Sequence, residues 1–196
     1  CAAGEADTDS DAATVCVQCA AGTFAPAAQT TCTTCVAGQA DADSNAATVC
    51  VACTEGQYAA AGATSCDDCA AGRYDGDTDA SSSCVVCGAG TYSGAGATSC
   101  TDCVSGKADA DSQPSTPCAD CAAGRHSEAQ ATACDECAAG RYDGDSDAST
   151  VCQLCSAGQY AGAGSISCSA CEEGTIDADQ DPSTPCTQCS SGRYAA

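Results

Sequence analysis

Methionine and tryptophan are absent from this sequence, and Phe, Leu and His occur once each. The bulky residues stop at nine Val, two Ile and six Tyr beyond those, so the apolar fraction of 44% is mostly Ala and Cys. At roughly 25 cal/mol per Å² of apolar surface buried, so few large side chains cannot offset an ordering cost of about 1 to 2 kcal/mol per residue. A conventional core is excluded, and something covalent has to hold the chain. Basic residues are scarce as well: five Lys and Arg stand against 27 Asp and Glu, for a net charge of -22. Nucleic acid and anionic membranes need clustered cations and are excluded as partners. Such a charge favours solubility and extension.

What the sequence has in quantity is cysteine, 23 of 196 residues. Chains poor in core restrict their unfolded ensemble with disulfides where the compartment is oxidising, which places this one outside the cytosol. No basic segment followed by an apolar stretch opens the chain, and no run of 18 apolar residues occurs in it. The expectation is a mature segment with no signal peptide and no membrane insertion.

Periodicity organises the whole sequence. Eleven C-x-x-C pairs begin at Cys16, Cys32, Cys50, Cys66, Cys84, Cys100, Cys118, Cys134, Cys152, Cys168 and Cys186, at steps alternating between 16 and 18 residues. The unit is therefore 34 residues, and closer copies recur at 68: CAAGRYDGDTDASS (69 to 82) returns as CAAGRYDGDSDAST (137 to 150). The second cysteine of each pair is followed by x-x-Gly, from Gly22 to Gly192, with Gly4 after Cys1 in the same place. That glycine is expected at positive φ in a tight turn. Two residues on comes Phe24, Tyr58, Tyr74, Tyr92, His126, Tyr142, Tyr160 or Tyr194, replaced elsewhere by Ala6, Ala40, Ala108 and Ile176. These rings are expected to pack on a neighbouring disulfide or loop. Cys1 and Ala196 both fall inside a repeat, so 1–196 reads as a continuous array truncated within a repeat at each end.

Two connectivities suit the spacing. In the preferred one the second Cys of each pair closes a loop to the first Cys of the next: Cys1 with Cys16, Cys19 with Cys32, Cys35 with Cys50, Cys53 with Cys66, Cys69 with Cys84, Cys87 with Cys100, Cys103 with Cys118, Cys121 with Cys134, Cys137 with Cys152, Cys155 with Cys168, and Cys171 with Cys186. Each bridge would stabilise by about 3 kcal/mol in the chain-entropy model. The alternative is crossed, Cys16 with Cys32 and Cys19 with Cys35. The fold class expected is small disulfide-rich repeats with little regular secondary structure, short β-strands such as 13–17 or 48–52, and an extended rod or solenoid-like array.

The run C-x-x-C-x-x-G-x-Y, as in Cys50, Cys53, Gly56 and Tyr58, resembles the ephrin-receptor-like cysteine-rich repeats and the first-type cysteine-rich module of tumour necrosis factor receptors. That resemblance covers the entire chain and implies the loop-closing connectivity. In its strict alternation, near-identical copies and bias to Ala, Ser, Thr and Gly, the chain is also similar to repeat arrays of algal and protist surface proteins. These include the mastigoneme proteins that form hair-like fibres on flagella. The similarity implies a structural role, glycosylated loops and hydroxylated prolines.

Candidate chemistry is repeated too. The longer loops carry Asp7, Asp9 and Asp11; Asp41 and Asp43 with Asn45; Asp75, Asp77 and Asp79; Asp109 and Asp111 with Gln113; Asp143, Asp145 and Asp147; and Asp177, Asp179 and Asp181. Alternate oxygens can converge on Ca²⁺, or simply form solvated Asx turns. An EF-hand is excluded, because its sixth-position Gly is replaced by Ala12, Ala46, Ala80, Pro114, Ala148 or Pro182, and Gln18 and Ala52 stand where its closing Glu belongs. The cysteine spacing is close to that of zinc ribbons, yet four thiolates per site would deepen a charge of -22, so disulfides are preferred. No cofactor is required and no enzyme is expected, since the one histidine, His126, stands at a ring position. Pro114, Ser115, Thr116 and Pro117, with Pro182, Ser183, Thr184 and Pro185, read as PSTP sites for O-linked sugar. The functional expectation is a surface fibre, a flagellar appendage among the options, that self-associates and carries glycans. A receptor or adhesin ectodomain binding a protein ligand is the alternative, and RHSEAQATA (125 to 133) is the loop that departs most from the repeat.

Overall fold

The structure is a computed structural model, and it describes residues 1–11 and 13–190. Ala12, Gly192 and Tyr194 lie outside the described residues. No residue among those described is helical; the regular structure is eleven two-stranded sheets built from two-residue strands. The logic of one hairpin is that of the others. Cys1 opens a loop, Gly4 turns at φ 90°, and the strand Glu5–Ala6 leaves the turn. The chain returns at Cys16, bonded to Cys1, and Val17–Gln18 pairs antiparallel with Glu5–Ala6, Ala6 opposite Val17. The Cys19 N–H then donates to the Gly4 carbonyl at 2.9 Å, and Cys19 opens the next loop. The two residues inside C-x-x-C are thus the closing strand of one loop, and its two cysteines belong to successive bridges.

The eleven disulfides follow the loop-closing pattern, from Cys1–Cys16 to Cys171–Cys186, with Cα separations of 5.5 to 5.8 Å. These separations suit unstrained bridges. Cys189 is the free cysteine and is half-buried. All eleven described post-cysteine glycines, Gly4 to Gly174, have positive φ. The strands are shorter than the sequence indicated: pairing starts at Val17 and Val51, not at residues 13 and 48. Thr14 and Thr48 are held in turns, their N–H groups donating to the carbonyls of Asp11 and Asn45, so the backbone before Cys16 and Cys50 cannot pair across the hairpin.

The chain divides into two compact units, Cys1–Cys87 with Tyr92–Thr101 and Pro114–Thr116, and Gly88–Thr91 with Asp102–Gln113 and the residues from Pro117 onward. Within the first, Gly4 N–H donates to Ala25 O at 2.8 Å, Asp7 N–H to Gln29 O at 3.0 Å, Ala25 N–H to Ala46 O at 3.0 Å, and Ala28 N–H to Cys1 O at 3.0 Å. Shifted by 34 residues, the same four bonds reappear from Gly38, Asp41, Ala59 and Gly62. Within the second unit they recur from Gly106, Asp109, Ser127 and Gln130, and again from Gly140, Asp143, Ala161 and Gly164.

These bonds bring loops so close that only small residues fit between them. A Cβ on Gly22 would stand 2.0 Å from the carbonyl oxygen of Gly62, and one on Gly124 would stand 2.1 Å from that of Gly164. Among the described residues the buried apolar ones are accordingly Ala and Cys alone, with Cys35, Cys69, Cys103 and Cys137 the largest side chains fully enclosed. The fold is an array of small disulfide-rich repeats whose interior is sulfur, methyl groups, backbone and a few small polar side chains, Asp41, Asp75, Asp109 and Asp143 with Ser93 and Ser127.

Candidate functional site

Because the unit recurs, its chemistry does too, and the Asp-rich long loops are the part of it with functional side chains. Each loop uses its acidic positions in three ways. The first carboxylate turns inward. Asp41, Asp75, Asp109 and Asp143 are buried, and their Oδ2 atoms accept the backbone N–H of Gly22, Gly56, Gly90 and Gly124 at 3.0 to 3.3 Å. Asp177 does the same for Gly158 at 3.4 Å. Asp7 occupies this place in its loop.

The second carboxylate closes the loop. Asp9, Asp43, Asp77, Asp145 and Asp179 each accept the hydroxyl of Thr14, Thr48, Ser82, Thr150 or Thr184, five residues on. They also accept a backbone N–H two residues on, as Asp111 does from Gln113. The third oxygen, on Asp11, Asn45, Asp79, Asp147 or Asp181, caps the next N–H but one. Between second and third, Ser10, Ser44, Thr78, Ser112, Ser146 and Gln180 sit at φ of 53 to 59°.

The exposed caps also set protonation. The Asp11 amide, then the Thr14 hydroxyl, hold Asp9 below the ordinary carboxylate value of 3.8. The Thr48 hydroxyl leads for Asp43, the Asp79 amide for Asp77, and the Asp181 amide for Asp179. Asp79 and Asp147 are lowered chiefly by the Ser81 and Ser149 hydroxyls. Hydrogen bonds that the carboxylate accepts favour its charged form. The three oxygens of a loop therefore face different donors: a neighbouring loop's glycine, a hydroxyl of the same turn, and the turn backbone. The second and third positions form Asx turns.

One group of metal-ligating types does lie close together among the described residues, His126 with Cys137 and Cys152, their donor atoms within 4.8 Å. Its two sulfurs are already bonded to each other. His126 Nδ1 lies 3.5 Å from Cys152 Sγ, so the ring rests against the next long loop's disulfide, as the ring position predicts. Every other described ring, Phe24, Tyr58, Tyr74, Tyr92, Tyr142 and Tyr160, is half-buried. Over the divergent loop an open depression of about 400 Å³ is lined by His126, Glu128, Ala129 to Ala133 and Asp135.

Two of the long loops show a pairing the sequence reading missed. The rings of Tyr74 and Tyr142 lie over Gly76 and Gly144, where a Cβ would stand 3.0 and 2.6 Å from ring carbon. Where the ring position is Ala6, Ala40 or Ala108, the second residue on is Thr8, Ala42 or Ala110. The signal was available: Tyr-x-Gly alternates with Ala-x-Ala or Ala-x-Thr at one place in the repeat.

At the PSTP stretches Pro114 and Pro182 are half-buried, and their carbonyls accept Ser93 and Ala161 N–H groups at 3.0 Å. Ser115, Thr116 and Pro117, and likewise Ser183, Thr184 and Pro185, are exposed. Thr184 Oγ1 is engaged with Asp179 and the Asp181 carbonyl.

No protein-family model matches the chain, and no curated protein matches it. Eleven disulfides fit a secreted or extracellular protein. No helix among the described residues is long and apolar enough to cross a membrane.

Proposed function

We propose that this chain is structural material of an extracellular fibre, assembled from disulfide-closed repeats and carrying O-linked sugar on its exposed loops. The observation that carries the reading is the recurrence of one inter-loop bond set, Gly to Ala or Ser, Asp to Gln, Ala or Ser, and Ala, Gly or Gln to Cys, at every 34-residue step that a unit contains. A catalytic or ligand-binding protein concentrates its special residues once, whereas here the acidic and turn-glycine positions recur from copy to copy. Repetition of this kind suits a part whose job is extent. The likeness to mastigoneme arrays supports the same reading, and with it a place at the cell surface. The exposed Ser115 and Ser183 are the natural sugar acceptors of the PSTP stretches, since the Thr184 hydroxyl already holds its turn.

Electron microscopy of the material as isolated, averaged along any filament, tests this. Fibres with a regular axial repeat and density beyond the polypeptide are the expected result. Discrete single chains, with an intact mass equal to the bare sequence less its disulfide hydrogens, would overturn it. The second reading, a receptor or adhesin ectodomain, draws on the depression over residues 128–133, and single chains would make that loop the place to search for a ligand.

A further inference from the structure

His126 stands where Phe24, Tyr58, Tyr92 and Tyr160 stand in other copies, each one ahead of a long-loop disulfide. Tyr58, for example, precedes Cys69–Cys84 by the same intervals that separate His126 from Cys137–Cys152. A phenyl or phenol ring in that place has no nitrogen lone pair, and an imidazole has one. The His126 Nδ1 lies 3.5 Å from Cys152 Sγ, and the donor atoms of His126, Cys137 and Cys152 all fall within 4.8 Å of one another. Both cysteines are buried, and the three residues belong to the second unit.

The spacing suits a tetrahedral metal centre. Zn²⁺ bonded to sulfur at about 2.3 Å and to nitrogen at about 2.0 Å holds the two donors about 3.5 Å apart, the separation that Nδ1 and Cys152 Sγ already have. Two thiolate sulfurs on the same ion stand about 3.8 Å apart, so the Cys137–Cys152 bond has to break and one cysteine side chain has to rotate. Charge favours the ion as well. Two thiolates cancel the double charge of zinc and a neutral imidazole adds none, so the centre leaves the chain at -22, unlike a site of four thiolates. Glu128 and Asp135 line the open depression that His126 also lines, which draws cations toward the ring.

We propose that Cys137, Cys152 and His126 form a zinc site that is closed while the cysteines are bridged and opens when they are reduced, with water as the fourth ligand. A dithiol supplies the two electrons. Its first thiolate attacks one sulfur of the bridge, its second displaces that sulfur and closes the reductant's own disulfide, and its two protons end on Cys137 and Cys152. Zn²⁺ then takes both thiolates and the His126 Nδ1, and the two protons pass to solvent. Because the ion binds only the reduced form, zinc shifts this bridge toward reduction by mass action, while a bridge facing a phenol gains nothing. The inference stands apart from the fibre reading.

The test uses the intact chain with Cys189 alkylated beforehand. A tertiary phosphine is titrated in with Zn²⁺, or with Co²⁺ as a coloured probe; it is oxidised to its oxide with oxygen from water, whose two protons go to the cysteines. Differential alkylation and peptide mapping then read each bridge. The expected result is one metal ion per chain, thiolate-to-cobalt charge-transfer absorption, and reduction of Cys137–Cys152 ahead of the other bridges only when metal is present. His126→Tyr installs the ring that other copies carry and should weaken metal binding more than about 10-fold. Tyr58→His should add a second site at Cys69–Cys84, a gain that a merely destabilised chain could not give. Metal held equally by His126→Tyr, metal that protects a different cysteine pair, or Cys137 and Cys152 reduced yet free of metal would each overturn the inference. So would a Cys137–Cys152 bridge that stays closed, with metal present, while the others open.

Discussion

Gly124 and Gly164 separate the cost of a turn from the cost of stacking. Both have positive φ, 79° and 70°, and both donate their N–H, Gly124 to Asp143 Oδ2 and Gly164 to the Cys137 carbonyl. They differ in what a side chain would meet. A Cβ on Gly124 would stand 2.1 Å from the Gly164 carbonyl oxygen, and one on Gly164 would meet nothing within 4 Å. Gly164→Ala should therefore cost only the left-handed backbone of an L-residue, about 1 to 2 kcal/mol. Gly124→Ala carries that cost and adds overpacking against backbone, about 1 to 3 kcal/mol more, because a carbonyl cannot rotate away as a side chain can. The surplus corresponds to roughly 5- to 150-fold in a local opening equilibrium. Native-state hydrogen exchange at the Asp143 amide, which bonds to the Ser165 carbonyl, reads that opening with the disulfides intact. Exchange accelerated equally in the two variants would refute the reasoning, since the turn alone would then carry the whole effect.

Gly144→Ala should destabilise its loop by crowding the Tyr142 ring, and adding Tyr142→Ala should recover most of the loss by recreating the Ala108 and Ala110 pair. Thermal melts of the double-mutant cycle should show a coupling above about 0.5 kcal/mol. Asp143→Ala leaves the buried Gly124 N–H without its acceptor and should cost about 1 to 3 kcal/mol by exchange at that amide, more than Asp145→Ala in the exposed turn. The caps on Asp9, Asp43, Asp77, Asp79, Asp147 and Asp179 lower their folded values below 3.8, so the folded chain binds fewer protons there than the unfolded one. Their stabilisation should be complete above about pH 4 and fade as pH falls through the lower folded values, followed by carboxyl carbon chemical shifts; turns that loosen between about pH 5 and 7 would contradict it.

Much of this fold can be read from spacing because one local rule repeats. A glycine three residues after a cysteine has to turn, and a two-residue gap inside C-x-x-C leaves room for one short strand. The bridges were only half legible. Cys16 to Cys32 and Cys1 to Cys16 are both compatible with the intervals, and the choice lies in which sulfurs the hairpin brings within 5.5 to 5.8 Å at Cα. Strand length was overestimated at Thr14 and Thr48 because a threonine favours strands on average, while here its hydroxyl is claimed by Asp9 and Asp43. The acidic loops read as one motif whose oxygens act together, on a cation or in a solvated turn. Asp41, Asp43 and Asn45 have three, because alternate residues of a tight turn point at different donors, one of them supplied by Gly22 from another loop.

What the sequence determined by itself is local and covalent: the 34-residue period, the positive-φ glycines, the disulfide-rich class and the lack of a conventional core. Each depends on neighbours a few bonds away, or on amounts that no folding can change. The tertiary structure decided everything that depends on a partner distant in the chain. It put Ala6 and Cys35 inside and every valine outside, buried Asp143 against the Gly124 amide, and closed Gly22 onto Gly62. Hydrophobicity alone would have ordered those valines and alanines the other way. The stacked backbones come too close for a branched side chain, so in this chain size, ahead of apolarity, decides which residues are buried.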